Sequence, residues 1–272
     1  MRASPLSAMA VVALLTLAGC TGLTGTDTAT SGPSPDEFPD ASAVNESAFD
    51  RHAAAVANTS FTLTVERSQK DREPSFVEKN FTYRNGSYRY FIEPGASQYR
   101  AEADGYFVGN DVTYYSNGTA TYSMWREDNG SMTVNPRRYP VFNESSEAYL
   151  WGGWFDGGSG DAHDSIAINA TYERRGVERV QGVSVMRYEA TGVDTLPDWV
   201  GDGNASSVFE AFSATLLVDA DGVIRHYRYE FVYVDYQTRR ISRTYNVTDV
   251  GSTDVQKPDW ASTVVSNATA SS

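Results

Sequence analysis

Between Ser60 and Val250 the chain is punctuated by short turn signals: Asn85-Gly86, Asp104-Gly105, Asn117-Gly118, Asn129-Gly130, Gly176, Gly182 and Asp221-Gly222. The runs between them are rich in Val, Thr, Tyr and Phe, whose branched or aromatic side chains suit a pleated, half-buried surface. Connections this short cannot carry a crossover, so successive strands must be antiparallel neighbours in a meander. The pattern predicts strands at 60–68, 75–84, 87–93, 97–103, 105–109, 111–116, 119–126, 166–175, 177–190, 212–218, 223–235 and 239–250. Asn85-Gly86 is read as a two-residue hairpin turn. That turn would set Phe81, Tyr83, Tyr88 and Tyr90 on one aromatic face.

One helix precedes the strands. Asn45 can cap a run from Glu46 to Ala57 that brings Phe49, Ala53 and Val56 onto one side. The run after it alternates Phe61, Leu63 and Val65 with Thr62, Thr64 and Glu66, a strand with one wet face. Val223, Tyr227, Tyr229, Phe231 and Tyr233 share a face in the same way, and Ile241, Tyr245 and Val247 repeat the pattern. A sheet with so broad an aromatic face must cover it. The cover is either protein, giving an ordinary core, or a ligand. Seventeen tyrosines favour a partly wet or amphiphile-accommodating interior, because a dry core tolerates a hydroxyl only with a partner. Two inserts could close the mouth or edge of the sheet. One carries Trp151, Trp154 and Phe155 among glycines, and the other reads Leu-Pro-Asp-Trp-Val-Gly-Asp-Gly from Leu196.

The termini speak to compartment. Arg2 and the apolar stretch Leu6–Ala18 form a signal-like segment too short to span a bilayer. Leu17-Ala18-Gly19-Cys20 follows and resembles the lipobox of prokaryotic lipoproteins, in which the cysteine is lipidated and becomes the mature N-terminus. Cys20 is the single cysteine, so no disulfide can form within one chain. Residues 1–19 are read as signal peptide, 20–44 as lipidated cysteine and disordered tether, 45–260 as the folded β domain and 261–272 as a polar tail. The expected location is the outer face of the cytoplasmic membrane, held by lipid at Cys20. Acyl chains contribute about 0.8 kcal/mol per buried methylene, so two chains anchor stably where one does not.

A net charge of −13 argues against nucleic acid as a partner. The 35 acidic residues face 19 Arg and only three Lys (Lys70, Lys79, Lys257), a balance that resembles surface proteins of extreme halophiles. Eleven of the thirteen asparagines begin an N-x-[ST] sequon: Asn45, Asn58, Asn80, Asn85, Asn117, Asn129, Asn143, Asn169, Asn204, Asn246 and Asn267. Random placement would give roughly two or three, so the excess points to an exported glycoprotein.

Catalytic signals are weak. Gly157-Gly158-Ser159-Gly160 lacks the final glycine of a nucleophile elbow and follows no buried strand. His52, His163 and His226 fall in a predicted helix, a loop and a strand. Asp161-Ala162-His163-Asp164 has metal-ligand residue types but reads as a solvated acidic loop. Asp219-Ala220-Asp221-Gly222 places its glycine too early for a calcium loop and reads as a hairpin turn. No catalytic residue, metal ligand or cofactor is assigned, and the chain is not read as an enzyme.

Taken in order, a lipobox, a tether, a helix and a meander of about eleven strands resemble the LolA and LppX-like lipoprotein carriers. Val180–Gly192 looks like that superfamily's central hairpin, and the stretches from Leu216 to Phe231 and from Arg243 to Gly251 look like its closing strands. Lys257-Pro258-Asp259-Trp260 resembles the end of many halophilic archaeal lipoproteins of this type. The resemblance implies a curved antiparallel half-barrel sheet, covered by the N-terminal helix and short helical inserts, that binds or carries a lipid or other hydrophobic ligand. Tyr229 and Phe231 would then join Phe81, Tyr83, Tyr88, Tyr90, Trp151 and Trp154 as ligand contacts. The other arrangement is an envelope interaction module with a filled core; its protein partners are not legible.

Overall fold

The computed structural model describes residues 33–72, 81–93, 98–105, 112–126, 132–137, 162–234 and 239–262. Eleven antiparallel strands form one open sheet in the order β6-β5-β4-β3-β2-β1-β11-β10-β9-β8-β7. They are β1 Phe61–Arg72, β2 Phe81–Glu93, β3 Gln98–Gly105, β4 Val112–Asn117, β5 Thr121–Arg126, β6 Met132–Arg137, β7 Glu173–Val180, β8 Val183–Thr191, β9 Phe209–Asp219, β10 Ile224–Tyr233 and β11 Arg240–Thr248. Each half is a meander. The halves join where β1 pairs with β11, Leu63 opposite Val247 and Val65 opposite Tyr245. The fold is therefore mainly β, with a sheet not closed into a barrel and few helices.

Among the described residues, two α-helices precede strands of this sheet in sequence. Helix α1, Glu46–Val56, starts at Asn45, whose side chain accepts a hydrogen bond from Ser47 N at 2.9 Å. It buries Ala48, Phe49, His52 and Val56, so His52 and not Ala53 completes the apolar side. Helix α2, Ala162–Ile168, lies where the sequence predicts the start of a strand over 166–175. Seven residues cannot hold a helix by propensity alone. Burial of Ile166, Ala167 and Ile168 in the core, together with Asp164, fixes it. Phe38 and Val44 are buried beside them, so folded structure begins ahead of Asn45.

The largest correction concerns Asn85-Gly86. The pair is the middle of β2, with Asn85 opposite Ser68 and Gly86 opposite Arg67 on β1. The sequence alternation of β1 fades into Arg67-Ser68-Gln69-Lys70, yet the strand runs on for 12 residues. A continuous ladder against both neighbours outweighs the local turn preference. Phe81 and Tyr83 therefore stand at odd positions and Tyr88 and Tyr90 at even positions of one strand. The shared aromatic face built on a turn does not exist.

Other boundaries shift for local reasons. Gly176 sits at a bulge inside β7, where Arg175 is left unpaired and Gly176, at φ +149°, pairs with Arg187, while the β7–β8 turn is Gln181-Gly182 with φ of +52° and +82°. Edge strand β6 is absent from the predicted set because it is short and polar and contains Pro136, which only an edge accommodates. The predicted strand at 105–109 is met only at Gly105, where β3 ends; 106–109 lie outside the described residues, as do Trp151, Trp154 and Phe155. The second insert holds two short 3-10 turns, Val200–Gly203 and Ala205–Ser207, and a third, Val193–Thr195, immediately precedes it.

The opposite face of the sheet has its own cluster. Tyr115, Tyr122, Val255 and Ala261 are buried together, with Phe91, Ala120 and Trp260 packed against them. Gly251 N bonds to Ser60 O at 2.7 Å and Thr253 Oγ1 lies 2.9 Å from Thr62 Oγ1, straps that lay the C-terminal segment over the β1 end of this face.

Candidate functional site

The inner face has two chemically different parts. Over β8–β11 it is aromatic and filled. Tyr188, Tyr227, Tyr229 and Phe231 are fully buried. Phe231 packs against Phe209 and Phe212 with ring centroids 4.7 and 4.8 Å apart, and Tyr227 meets Phe49 of α1 edge-on at 5.7 Å. Tyr229 and Phe231, predicted ligand contacts, are thus core residues in this structure.

Several tyrosine hydroxyls end on the covering layer. Tyr172 donates to Ala167 O at 2.9 Å and Tyr188 donates to Pro39 O. Tyr229 and Tyr245 both donate to Oδ1 of Asp164, the latter at 2.9 Å. Arg243, 4% exposed, donates to the other carboxylate oxygen. Burial and the charge of Asp164 push both phenols well above their ordinary range, so they stay protonated donors. The hydroxyls of Tyr188, Tyr229 and Tyr245 on this part of the face are thus bonded to covering segments, whereas that of Tyr227 is buried with no hydrogen-bond partner among the described residues.

Asp164 is also a correction. The Asp161–Asp164 stretch reads as a solvated loop, yet Asp164 is 0% exposed and His163 is 6% exposed on α2. His163 Nε2 bonds to the hydroxyl of Tyr233. Among the described residues no group of three or more His, Cys, Asp or Glu side chains could hold a metal ion. Asp219 also serves structure: its carboxylate accepts from Val223 N at 2.8 Å and from Arg225 Nε at 2.7 Å, fixing the β9–β10 turn.

Over β2–β5 the inner face is lined differently. Register aligns Phe61, Ile92, Tyr99, Ser116 and Thr121 in one row and Leu63, Tyr90, Ala101, Tyr114 and Ser123 in the next. Ser116, Thr121 and Ser123 are buried to 1, 1 and 2% exposure. Ser116 Oγ caps the β4–β5 turn through Gly118 N at 3.3 Å. Ser123 Oγ is buried with no hydrogen-bond partner among the described residues. Small hydroxyl side chains thus replace large apolar ones toward β5, in a sheltered setting that costs free energy wherever a hydroxyl goes unpaired. Of the predicted contacts, Tyr90 lies in this region. The side chains of Phe81, Tyr83, Tyr88, Trp151 and Trp154 fall outside the described residues. Ser123 was missed because a lone serine in a strand carries no sequence signal; only register shows where it points.

Comparison with known proteins follows the fold. No curated protein matches the sequence. Among solved structures, an uncharacterized conserved protein from Thermus thermophilus aligns over 79% of this chain and 94% of its own, with 10% identity and a TM-score of 0.29. A LolA superfamily protein from Nitrosomonas europaea aligns over 80% of this chain and 99% of its own, with 9% identity and a TM-score of 0.26. At such scores the fold class rests on strand order and register. Among the described residues no helix is long and apolar enough to cross a membrane. A family model matches residues 5–264, nearly the whole length, and the chain belongs to that family, DUF7537, a family of unknown function.

Proposed function

We propose that this is a lipid-anchored cell-surface protein that binds or carries a hydrophobic ligand on the β2–β5 part of its inner face. The supporting observation is the juxtaposition there of buried Tyr90, Tyr99 and Ala101 with the unpartnered hydroxyl of Ser123. An amphiphile would lay an apolar chain along the tyrosines and bring one polar atom to Ser123, meeting a hydrogen-bond demand the described residues leave open. The anchor is Cys20, supported by the lipobox-like Leu17-Ala18-Gly19-Cys20.

Native mass spectrometry after mild extraction tests the ligand. A reproducible co-purifying lipid is expected, and it should be lost from Ala101→Trp, whose indole would fill the row between Tyr90 and Tyr114. Repeatedly empty wild-type protein would instead favour an envelope interaction module, the reading favoured by the filled β8–β11 part. The anchor is tested separately: Cys20→Ser should move the protein from the membrane fraction to the medium, and retention would contradict lipidation at that residue.

A further inference from the structure

The sequons are not equivalent once folded. Asn58 is exposed in the turn that follows α1, where Thr59 N bonds to Val56 O at 3.0 Å. Asn117 is exposed in the β4–β5 turn, and its Oδ1 accepts from Thr119 N at 3.0 Å and Ala120 N at 2.9 Å. Asn204 is exposed between the 3-10 turns of the β8–β9 connection, and its Oδ1 accepts from Ser206 Oγ at 2.7 Å. In the latter two the turn uses the amide carbonyl, and Nδ2 has no hydrogen bond among the described residues. Asn169 is the reverse. Its Nδ2 donates to Glu46 Oε1 and to Ser165 O, both at 3.0 Å, so both amide hydrogens are used. Its sequon is also pinned by Thr171 N, which bonds to Thr195 O at 2.7 Å.

We infer that Asn58, Asn117 and Asn204 carry N-linked glycans and that Asn169 is a structural residue left unmodified. The inference rests on the export part of the proposal above and selects among its sequons. Transfer forms a bond from Asn Nδ2 to the anomeric carbon of a polyprenyl-phosphate-linked oligosaccharide and breaks that carbon's bond to the phosphate oxygen. The phosphate leaves with the electron pair, and the amide gives up one proton. A glycosylated amide keeps a single N–H. At Asn117 and Asn204 the turn loses nothing, because it never used Nδ2. At Asn169 one of two bonds must break, including the choice of the one that joins the start of α1 to the end of α2. The three favoured sites sit in connections: Asn58 after α1, Asn117 at the β4–β5 turn and Asn204 between the 3-10 turns.

Site-resolved glycopeptide mass spectrometry of the full chain recovered from its native membrane tests this. Glycan is expected on Asn58, Asn117 and Asn204 and none on Asn169. Asn58→Gln, Asn117→Gln and Asn204→Gln should each remove the mass of one glycan from the intact protein. Asn169→Gln should remove none and should lower the melting temperature. Glycan on Asn169 of the folded protein overturns the inference, as does a bare Asn58, Asn117 or Asn204 beside occupied sites elsewhere. A Cys20 peptide bearing lipid with no sugar on any asparagine also overturns it while leaving the anchor standing. Absence of both lipid and sugar overturns the export reading along with it.

Discussion

Asp164→Ala is expected to lower the free energy of unfolding by about 3–5 kcal/mol, the range for removing one partner of a buried ion pair. The cost arises in what stays behind. Arg243 keeps its charge at 4% exposure, and the hydroxyls of Tyr229 and Tyr245 lose the carboxylate oxygen they share. Asp164→Asn retains an acceptor and most of the shape, so its loss should be smaller, with the charge mismatch remaining. Combining Asp164→Leu with Arg243→Met should cost far less than the sum of the single changes, because two desolvated charges leave together. Urea unfolding of the four proteins measures the coupling directly. Additive costs would mean that the pair does not interact as the geometry shows. The same network decides whether α2 exists. With Asp164 removed, the seven-residue helix keeps its apolar side but loses its polar attachment to β10 and β11. Amide exchange in α2 should therefore rise more than in the strands beneath it.

That network marks the limit of what the sequence could show. Alternation put Tyr227, Tyr229 and Phe231 on one face, and they are on one face, because period-two patterning is a local property that register cannot undo. Asp164 is different. Its immediate neighbours are small, polar or acidic, and a local reading makes it loop. Its helix is dictated by Arg243 and Tyr245, about eighty residues away in sequence, and by a layer of apolar residues beneath. Asn85-Gly86 fails for the same reason. A strong local turn preference is overridden by two neighbouring strands, of which β1 is longer than its hydrophobic pattern suggests. Gly182, one of the turn signals, does turn, and it divides the strand predicted over 177–190 between the end of β7 and β8. At the candidate site, Tyr90 was legible as an aromatic at an alternating position. Ser123 was not, since its meaning comes from four strands of register and from burial.

A second buried polar group makes stability depend on pH. His52 of α1 is 0% exposed, and its Nδ1 accepts a hydrogen bond from Ile224 N at 3.0 Å, tying the helix to the start of β10. The ring therefore carries its proton on Nε2. Burial, with a further contribution from the charge of Arg225, holds its pKa down to about 3 against an ordinary 6.5. The unfolded chain then binds a proton that the folded chain refuses throughout the interval between these values. Above pH 6.5 the histidine is neutral in both states and contributes no pH dependence. As pH falls from 6.5 toward 3 stability is lost at up to about 1.4 kcal/mol per unit, summing to the order of 4 kcal/mol. Protonation would also abolish the acceptor that Ile224 N requires, so the first structural consequence should be separation of α1 from the β9–β10 turn. His52→Asn places a neutral acceptor near the position of Nδ1 and cannot titrate. Its unfolding free energy should start lower at neutral pH, through lost contact with Phe61 at 6.3 Å, and then decline between pH 6.5 and 3 with one proton less of dependence than wild type. Thermal unfolding followed across that interval distinguishes the two. Parallel acid limbs for wild type and variant would show that His52 is not the group whose protonation opens the fold.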